Sequence, residues 1–247
     1  MNPALWEYTN SARLAQEEEA YFTEDPLTQA DEAILHDTFR EPCRLIDLGC
    51  GAGRLSLSFA RRGFRVTAVD LSSAMLEVLG RSAASEMLTV HRVRANLCRL
   101  EGFADASFDA AICMYSTLGM ITGPSARRAT LASARRILRP GGMMALHAHN
   151  LWLNLRDRQG RAWLLGELGR QILGKGTGDR PMTYRGIPGI TVHLYRWTEL
   201  KHELIAAGFR IRSVVALDSI HARPIRYPRV LHAMRAGGWI LVVERVG

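Results

Sequence analysis

Between residues 40 and 150, short apolar runs alternate with stretches whose apolar positions recur every three to four residues. This rhythm predicts strands alternating with helices, and so a mostly parallel sheet. Arg44–Leu48 reads as a first strand, followed by a glycine-rich turn and a helix over Leu55–Arg62. Arg65–Asp70 is a second strand, Ser72–Ser82 an amphipathic helix capped by Ser72 or Ser73, and Leu88–Val93 a third strand. Phe108–Tyr115 is apolar on both faces, as a buried parallel strand should be. Ser125–Leu138 forms a helix stopped by Pro140-Gly141-Gly142, and Met143–His149 a fifth strand. Trp197–Ala207 is another helix, ended at Gly208, and Ile211–Leu217 and Trp239–Glu244 supply two final strands. The expectation is one α/β domain over 1–247: a seven-stranded, mostly parallel sheet with helices on both faces. Residues 1–40 and 151–196 fall outside the rhythm. They are expected as an N-terminal helical cap and an inserted cap, around a core over 41–150 and a C-terminal helix and strand pair over 197–247.

Composition narrows the class. The chain has 247 residues, 47% hydrophobic and 23% charged, which is ordinary for a globular protein with a sizeable core. No apolar stretch approaches the ~20 residues of a membrane span. The N-terminus is acidic, with Glu17-Glu18-Glu19, and does not resemble a secretory leader. Cys43, Cys50, Cys98 and Cys113 form no Cys-x-x-Cys pair, so the expected setting is a reducing cytoplasm, without structural zinc. The net charge of +8 is unevenly spread: residues 1–40 hold two Arg against nine acids, whereas residues 151–247 hold 16 basic and seven acidic residues. The two ends could attract each other, or the basic third could steer an anionic partner.

The strongest local signal is Asp47-Leu48-Gly49-Cys50-Gly51-Ala52-Gly53, placed between a strand and a helix. Alternate glycines let backbone N–H groups approach a ligand, and the following helix adds its positive end. A dinucleotide loop would want glycine or alanine at the position of Arg54. A carboxylate at Asp47 would also repel a pyrophosphate, but it suits a ligand carrying an ammonium and a sulfonium. Asp70 ends the second strand about 20 residues beyond the loop, the offset at which a carboxylate receives ribose hydroxyls; a helix N-cap is the alternative. Asn96-Leu97, after the third strand, could hold and cover an adenine, or form an ordinary turn. Met75 could pack on the adenine face or in the core.

With these pieces assembled, the chain resembles the class I S-adenosylmethionine (SAM)-dependent methyltransferases, through Leu45–Gly53 (LIDLGCGAG), Val66–Leu76 (VTAVDLSSAML), Phe108–Met114 (FDAAICM) and Ile137–Gly142 (ILRPGG). The resemblance is close over about residues 40–150. It implies a Rossmann-like fold and a SAM site, with S-adenosylhomocysteine as product. It implies Asp47, Gly49 and Gly51 for the methionine part, Asp70 for the ribose and Asn96-Leu97 for the adenine, with Cys50, Leu71, Met75 and Met114 alongside. Many relatives carry Asp where this chain has Asn96.

The family's acceptor groups lie at the C-terminal edge of the sheet. Tyr115-Ser116-Thr117, and His147, His149 and Asn150, follow the fourth and fifth strands there. Tyr115, His147 and His149 are the candidate catalytic groups; structural histidines hydrogen-bonded to their neighbours are the first alternative for the two imidazoles, and a metal pair the last. Asn150, Tyr184 and His193 are candidate substrate contacts, the last two on an expected hairpin over Met182–Tyr195 that turns at Gly186 and Pro188-Gly189 and brings Tyr195 and Trp197 nearby. The motif that nucleobase-amine methyltransferases carry after the fourth strand is absent. The expectation is therefore methyl transfer to a small-molecule acceptor. An RNA- or tRNA-modifying enzyme using Arg223, Arg226, Arg229 and Arg235, and a non-catalytic SAM-binding module, are the alternatives. The run Gly169–Lys175 imitates a phosphate loop, but it follows a helical pattern and has Gly176 where Ser or Thr should stand.

Overall fold

The structure, a computed structural model, describes residues 3–23, 25–218, 223–228 and 230–247; Arg229 lies outside them. Four helices open the chain: α1 (Pro3–Asn10), α2 (Ala12–Gln16), α3 (Glu18–Thr23) and α4 (Pro26–Thr38). The core then runs β1 (Arg44–Leu48), α5 (Arg54–Arg61), β2 (Arg65–Asp70), α6 (Ser73–Ser85), β3 (Val90–Arg94), β4 (Phe108–Cys113), α7 (Thr117–Met120), α8 (Pro124–Ile137) and β5 (Leu138–His149). After a 3-10 turn at Leu151–Leu155 come α9 (Arg158–Ile172) and the strands β6 (Asp179–Tyr184) and β7 (Ile187–His193). The chain ends with α10 (Trp197–Ala206), β8 (Phe209–Leu217), α11 (His232–Arg235) and β9 (Gly238–Arg245).

Seven strands form one sheet in the order β3-β2-β1-β4-β5-β9-β8, while β6 and β7 pair separately. The first five are parallel, and β9 runs antiparallel to both β5 and β8. Alternation of side chains builds a core on each face. Ile46, Ala111, Leu146 and Leu241 pack with Leu131 and Ile137 of α8 and Leu200 and Leu204 of α10. Leu45, Ala110, Ala145 and Ile240 face Leu35 of α4 and Phe59 of α5. A smaller third core joins Leu14 of α2, Leu164 of α9 and Ile187, Ile190 and Val192 of β7. The two segments outside the strand–helix rhythm are thus packed together.

Two expectations change. The strand expected from Met143 begins at Leu138 and runs through Pro140-Gly141-Gly142. A Cβ at Gly142 would press on the carbonyls of Arg139 and Asp109, so that glycine lets the strand pass a neighbouring backbone. The hairpin turns at Arg185-Gly186, both with positive φ (50° and 83°), while Pro188-Gly189 lies inside β7. Among the described residues no helix is long and apolar enough to cross a membrane.

Candidate active site

The strand order reverses between β1 and β4, and a cavity of about 560 Å³ opens beyond the carboxyl ends of the strands there, where open α/β sheets hold ligands. One wall is the turn from β1 to α5. Gly49, Gly51 and Gly53 all have positive φ (81°, 55° and 90°). A Cβ on Gly49 would collide with Thr117, and one on Gly53 with Leu79, so the loop is closed against its surroundings only because these positions are bare.

Asp47, Asp70 and Glu18 bring three carboxylates to this wall. Asp47 is 3% exposed; it accepts 2.7 Å from the Ser56 hydroxyl, and burial pushes its pKa up to about 7. Asp70 accepts from the N–H of Gly51 at 2.9 Å and of Ser72 at 2.8 Å, so it braces the loop and the start of α6 together; burial raises its pKa also. The N-cap of α6 is Ser72, whose hydroxyl accepts from the N–H of Met75. Glu18 had no distinguishing mark within its acidic run. Its Oε1 accepts from the N–H of Ala52 at 2.9 Å, its Oε2 meets Arg185 at 3.1 Å, and burial lifts its pKa to about 7 despite that pair.

Every expected cofactor contact lines the cavity except Met75, which is buried in the core. Asn96 lines it while its side-chain oxygen accepts from the N–H of Cys98 at 3.0 Å, so the turn role is realised as well. The donor set suits SAM: carboxylates for an ammonium, a sulfonium and ribose hydroxyls, glycines where a ligand must come close, and Leu71, Leu97 and Met114 as an apolar lining.

Part of the lining is aromatic. Tyr8 of α1, Phe22 of α3, Tyr115 after β4 and Tyr184 of β6 all line the cavity. Phe22 and Tyr115 meet edge to face with centroids 4.6 Å apart, and Tyr8 and Tyr184 are 5.5 Å apart. Tyr115 (φ 52°) and Ser116 (φ 60°) are consecutive non-glycine residues in the left-handed region, a costly backbone that here turns the Tyr115 ring into the cavity. Its hydroxyl donates to Asp25 at 2.5 Å, and burial together with that bond raises its pKa.

The remaining candidates lie elsewhere. His147 is buried against β9 and His149 stacks on it at 4.8 Å; neither lines the cavity, and burial pushes His149 down to about 4 and His147 well below its ordinary value. Asn150 donates to the carbonyls of Ala233 and Ala236 and caps the 3-10 turn, so its amide is committed to the fold. His193 has both ring nitrogens engaged, Nδ1 with Asp179 at 2.7 Å and Nε2 with Glu199 at 2.9 Å. Tyr195 is buried and Trp197 packs on Trp239. Of the four residues around the hairpin, only Tyr184 reaches the cavity.

A model of the methyltransferase-domain family matches residues 45–142. A SAM-dependent Diels-Alderase of Talaromyces variabilis is 39% identical over 106 residues, covering 42% of this chain and 35% of that protein. A ubiquinone biosynthesis O-methyltransferase of Xanthomonas oryzae is 30% identical over 132 residues, covering 53% and 51%. The chain therefore spans about half the length, or less, of these curated relatives. In fold it is similar to a Burkholderia thailandensis 1,6-didemethyltoxoflavin-N1-methyltransferase crystallised with 1,6-didemethyltoxoflavin and S-adenosylhomocysteine, at a TM-score of 0.64 and 20% identity over 95% of this chain and 85% of that one.

Proposed function

We propose that this chain, whose residues 45–142 match the methyltransferase-domain family, moves a methyl group from SAM to a small-molecule acceptor. The observation that carries this reading is one continuous cavity. The glycine loop, the carboxylates of Asp47 and Asp70 and the rings of Phe22, Tyr115 and Tyr184 all line it. Asp47, Gly49, Cys50, Gly51, Asp70, Leu71, Asn96, Leu97 and Met114 hold the cofactor, which when bound supplies an electrophilic methyl on a sulfonium. Tyr115 and Tyr184 face the acceptor. Segments 1–40 and 151–196 roof the two, shutting out water so that alignment of the reacting atoms does most of the work.

The alternative of an RNA substrate is weakened by where the arginines of the C-terminal third are spent. Arg210 and Arg212 bond Glu244, Arg170 bonds Glu167, Arg235 reaches the carbonyls of Arg226, Tyr227 and Val230, and Arg245 those of Arg136 and Leu138. Guanidinium groups already engaged by carboxylates and carbonyls have fewer donors left for phosphates, although Arg223 and Arg226 stay exposed. The four free cysteines suit a reducing compartment, and the cytoplasm is the proposed location. Mass spectrometry of the purified protein for bound SAM or S-adenosylhomocysteine, then labelled-methyl transfer into a metabolite extract and into total tRNA, tests the reading. Label in small molecules but not in tRNA is expected; label in tRNA alone overturns it.

A further inference from the structure

We infer that the acceptor is an amine, bound as its ammonium ion among the rings of Tyr8, Phe22, Tyr115 and Tyr184 and methylated as the free base. The inference rests on the proposed methyl transfer and adds the class of substrate. Its first support is the shape of the ring cluster. Phe22 and Tyr115 stand at 79° to each other and Tyr8 and Tyr184 at 60°, and all four residues line the cavity. Aromatic rings that line a cavity can receive a cation on a negative face.

The second support is charge. Among the described residues that line the cavity, the carboxylates are Glu18, Asp47 and Asp70, and the only cation is Arg54. The Arg54 guanidinium is already taken, bonding Asp31 at 2.7 Å and the carbonyl of Thr28 at 3.0 Å. Arg185, behind the rings, is held by Glu18 and the carbonyl of Leu14 and lies over the Tyr21 ring at 4.8 Å. A phenolate, carboxylate or phosphate entering this cavity would find no unengaged cationic partner among the described lining residues. An ammonium held by ring faces needs none.

The third support is a place for the proton. Tyr115 lines the cavity, and its hydroxyl donates to Asp25 at 2.5 Å. The ammonium gives one proton to the Tyr115 oxygen as that hydroxyl passes its own to the Asp25 carboxylate, leaving a free amine and a carboxylic acid. The nitrogen lone pair then forms the N–C bond to the methyl group. The C–S bond breaks with its electron pair going to sulfur, which becomes a neutral thioether, and the positive charge moves from sulfur to nitrogen. The ring-lined site holds a cation before and after this step, whereas methylation of a phenolate would leave it none.

Calorimetry on the full chain tests this in two stages. S-adenosylhomocysteine is titrated first. The saturated protein is then titrated with phenethylamine, hydrocinnamate and ethylphenol, which share one ring and differ in charge. Phenethylamine is expected to bind at least tenfold more tightly than either of the others. Tyr184→Leu and Phe22→Leu are each expected to cut that preference roughly threefold to thirtyfold, with circular dichroism unchanged. Methylated products from a mixed panel of amines, phenols and thiols, located by mass spectrometry, should carry the label on nitrogen. Equal binding of the three probes, or label only on oxygen, sulfur or carbon, overturns the inference while bound S-adenosylhomocysteine leaves the methyltransferase reading standing. Failure of S-adenosylhomocysteine to bind overturns both.

Discussion

The carboxylate of Glu18 accepts a hydrogen bond from the backbone N–H of Ala52 at 2.9 Å, although 34 residues separate them. A side chain from the N-terminal helices thereby rests on the glycine loop, in the space that a Cβ on Gly51 would fill. Its second oxygen meets Arg185 at the tip of the β6–β7 hairpin, and both side chains are almost wholly buried.

Arg185→Met should expose how this pair depends on pH. Glu18, with its pKa lifted to about 7 by burial, ionises fully only above neutrality. Without Arg185 a buried charge is stranded at pH 8.5, at a cost of about 3 kcal/mol; at pH 5.5 the carboxyl is protonated and the loss is smaller. Urea unfolding at the two pH values measures the difference, and equal losses would refute the coupling.

Cofactor affinity should rise with pH. Glu18 and Asp47 both have pKa values pushed up to about 7, so below neutrality they are largely neutral and offer little to a cationic ligand. An ammonium and a sulfonium favour the ionised forms. Binding near pH 6.5 should therefore release protons, and affinity should climb between about pH 6 and 8. Titration calorimetry in buffers of different ionisation enthalpy counts the protons, and Glu18→Gln should lower the count.

Asp70→Ala should weaken SAM binding by about 1–3 kcal/mol, because the N–H groups of Gly51 and Ser72 lose their acceptor. Gly51→Ala should be worse for binding. It adds a side chain at φ 55°, a strain of roughly 1–2 kcal/mol, and drives Glu18 off the loop. Fluorescence titration of both variants against the wild type, with thermal melts as a control, checks the order.

The His193 hairpin anchor should loosen in alkali. Burial opposes charge on this ring, but its hydrogen bonds to Asp179 and Glu199 outweigh burial and hold its pKa above the ordinary value. A raised imidazole pKa contributes stability that is complete below the unfolded value, about 6.5, and is lost as pH rises through the folded value. After correction for intrinsic rates, amide exchange over Asp179–His193 should quicken as pH rises through that interval, and His193→Gln should abolish the trend.

Much of the proposed cofactor half could be assembled from sequence because it is local. Strand β1, its glycine turn and α5 follow one another directly, and Asp70 lies on the adjacent strand. The acceptor half is assembled from distant pieces, and periodicity does not report which of them meet. In the sequence, Tyr8 and Phe22 are aromatic residues set among acids with nothing to single them out. Glu18 was hidden in a run of three glutamates, and Thr117 carried no signal beyond its place after β4. His193 and Asn150 attracted attention as chemistry-bearing side chains, yet each is consumed by hydrogen bonds inside the fold. The turn at Arg185-Gly186 was overshadowed by Pro188-Gly189, since arginine is a poor advertisement for a left-handed position.

The third core, in which Leu14 packs with Leu164 and Ile187, ties the first helices to a segment encoded some 150 residues later. Recombination that exchanged one of these stretches between relatives and kept the other would leave an apolar face bare and the Glu18–Arg185 pair broken. If these segments form the acceptor site as proposed, acceptor preference is encoded by two distant parts of the gene that must change in step. A designer who wishes to transplant it must move both, while leaving the sheet between them untouched.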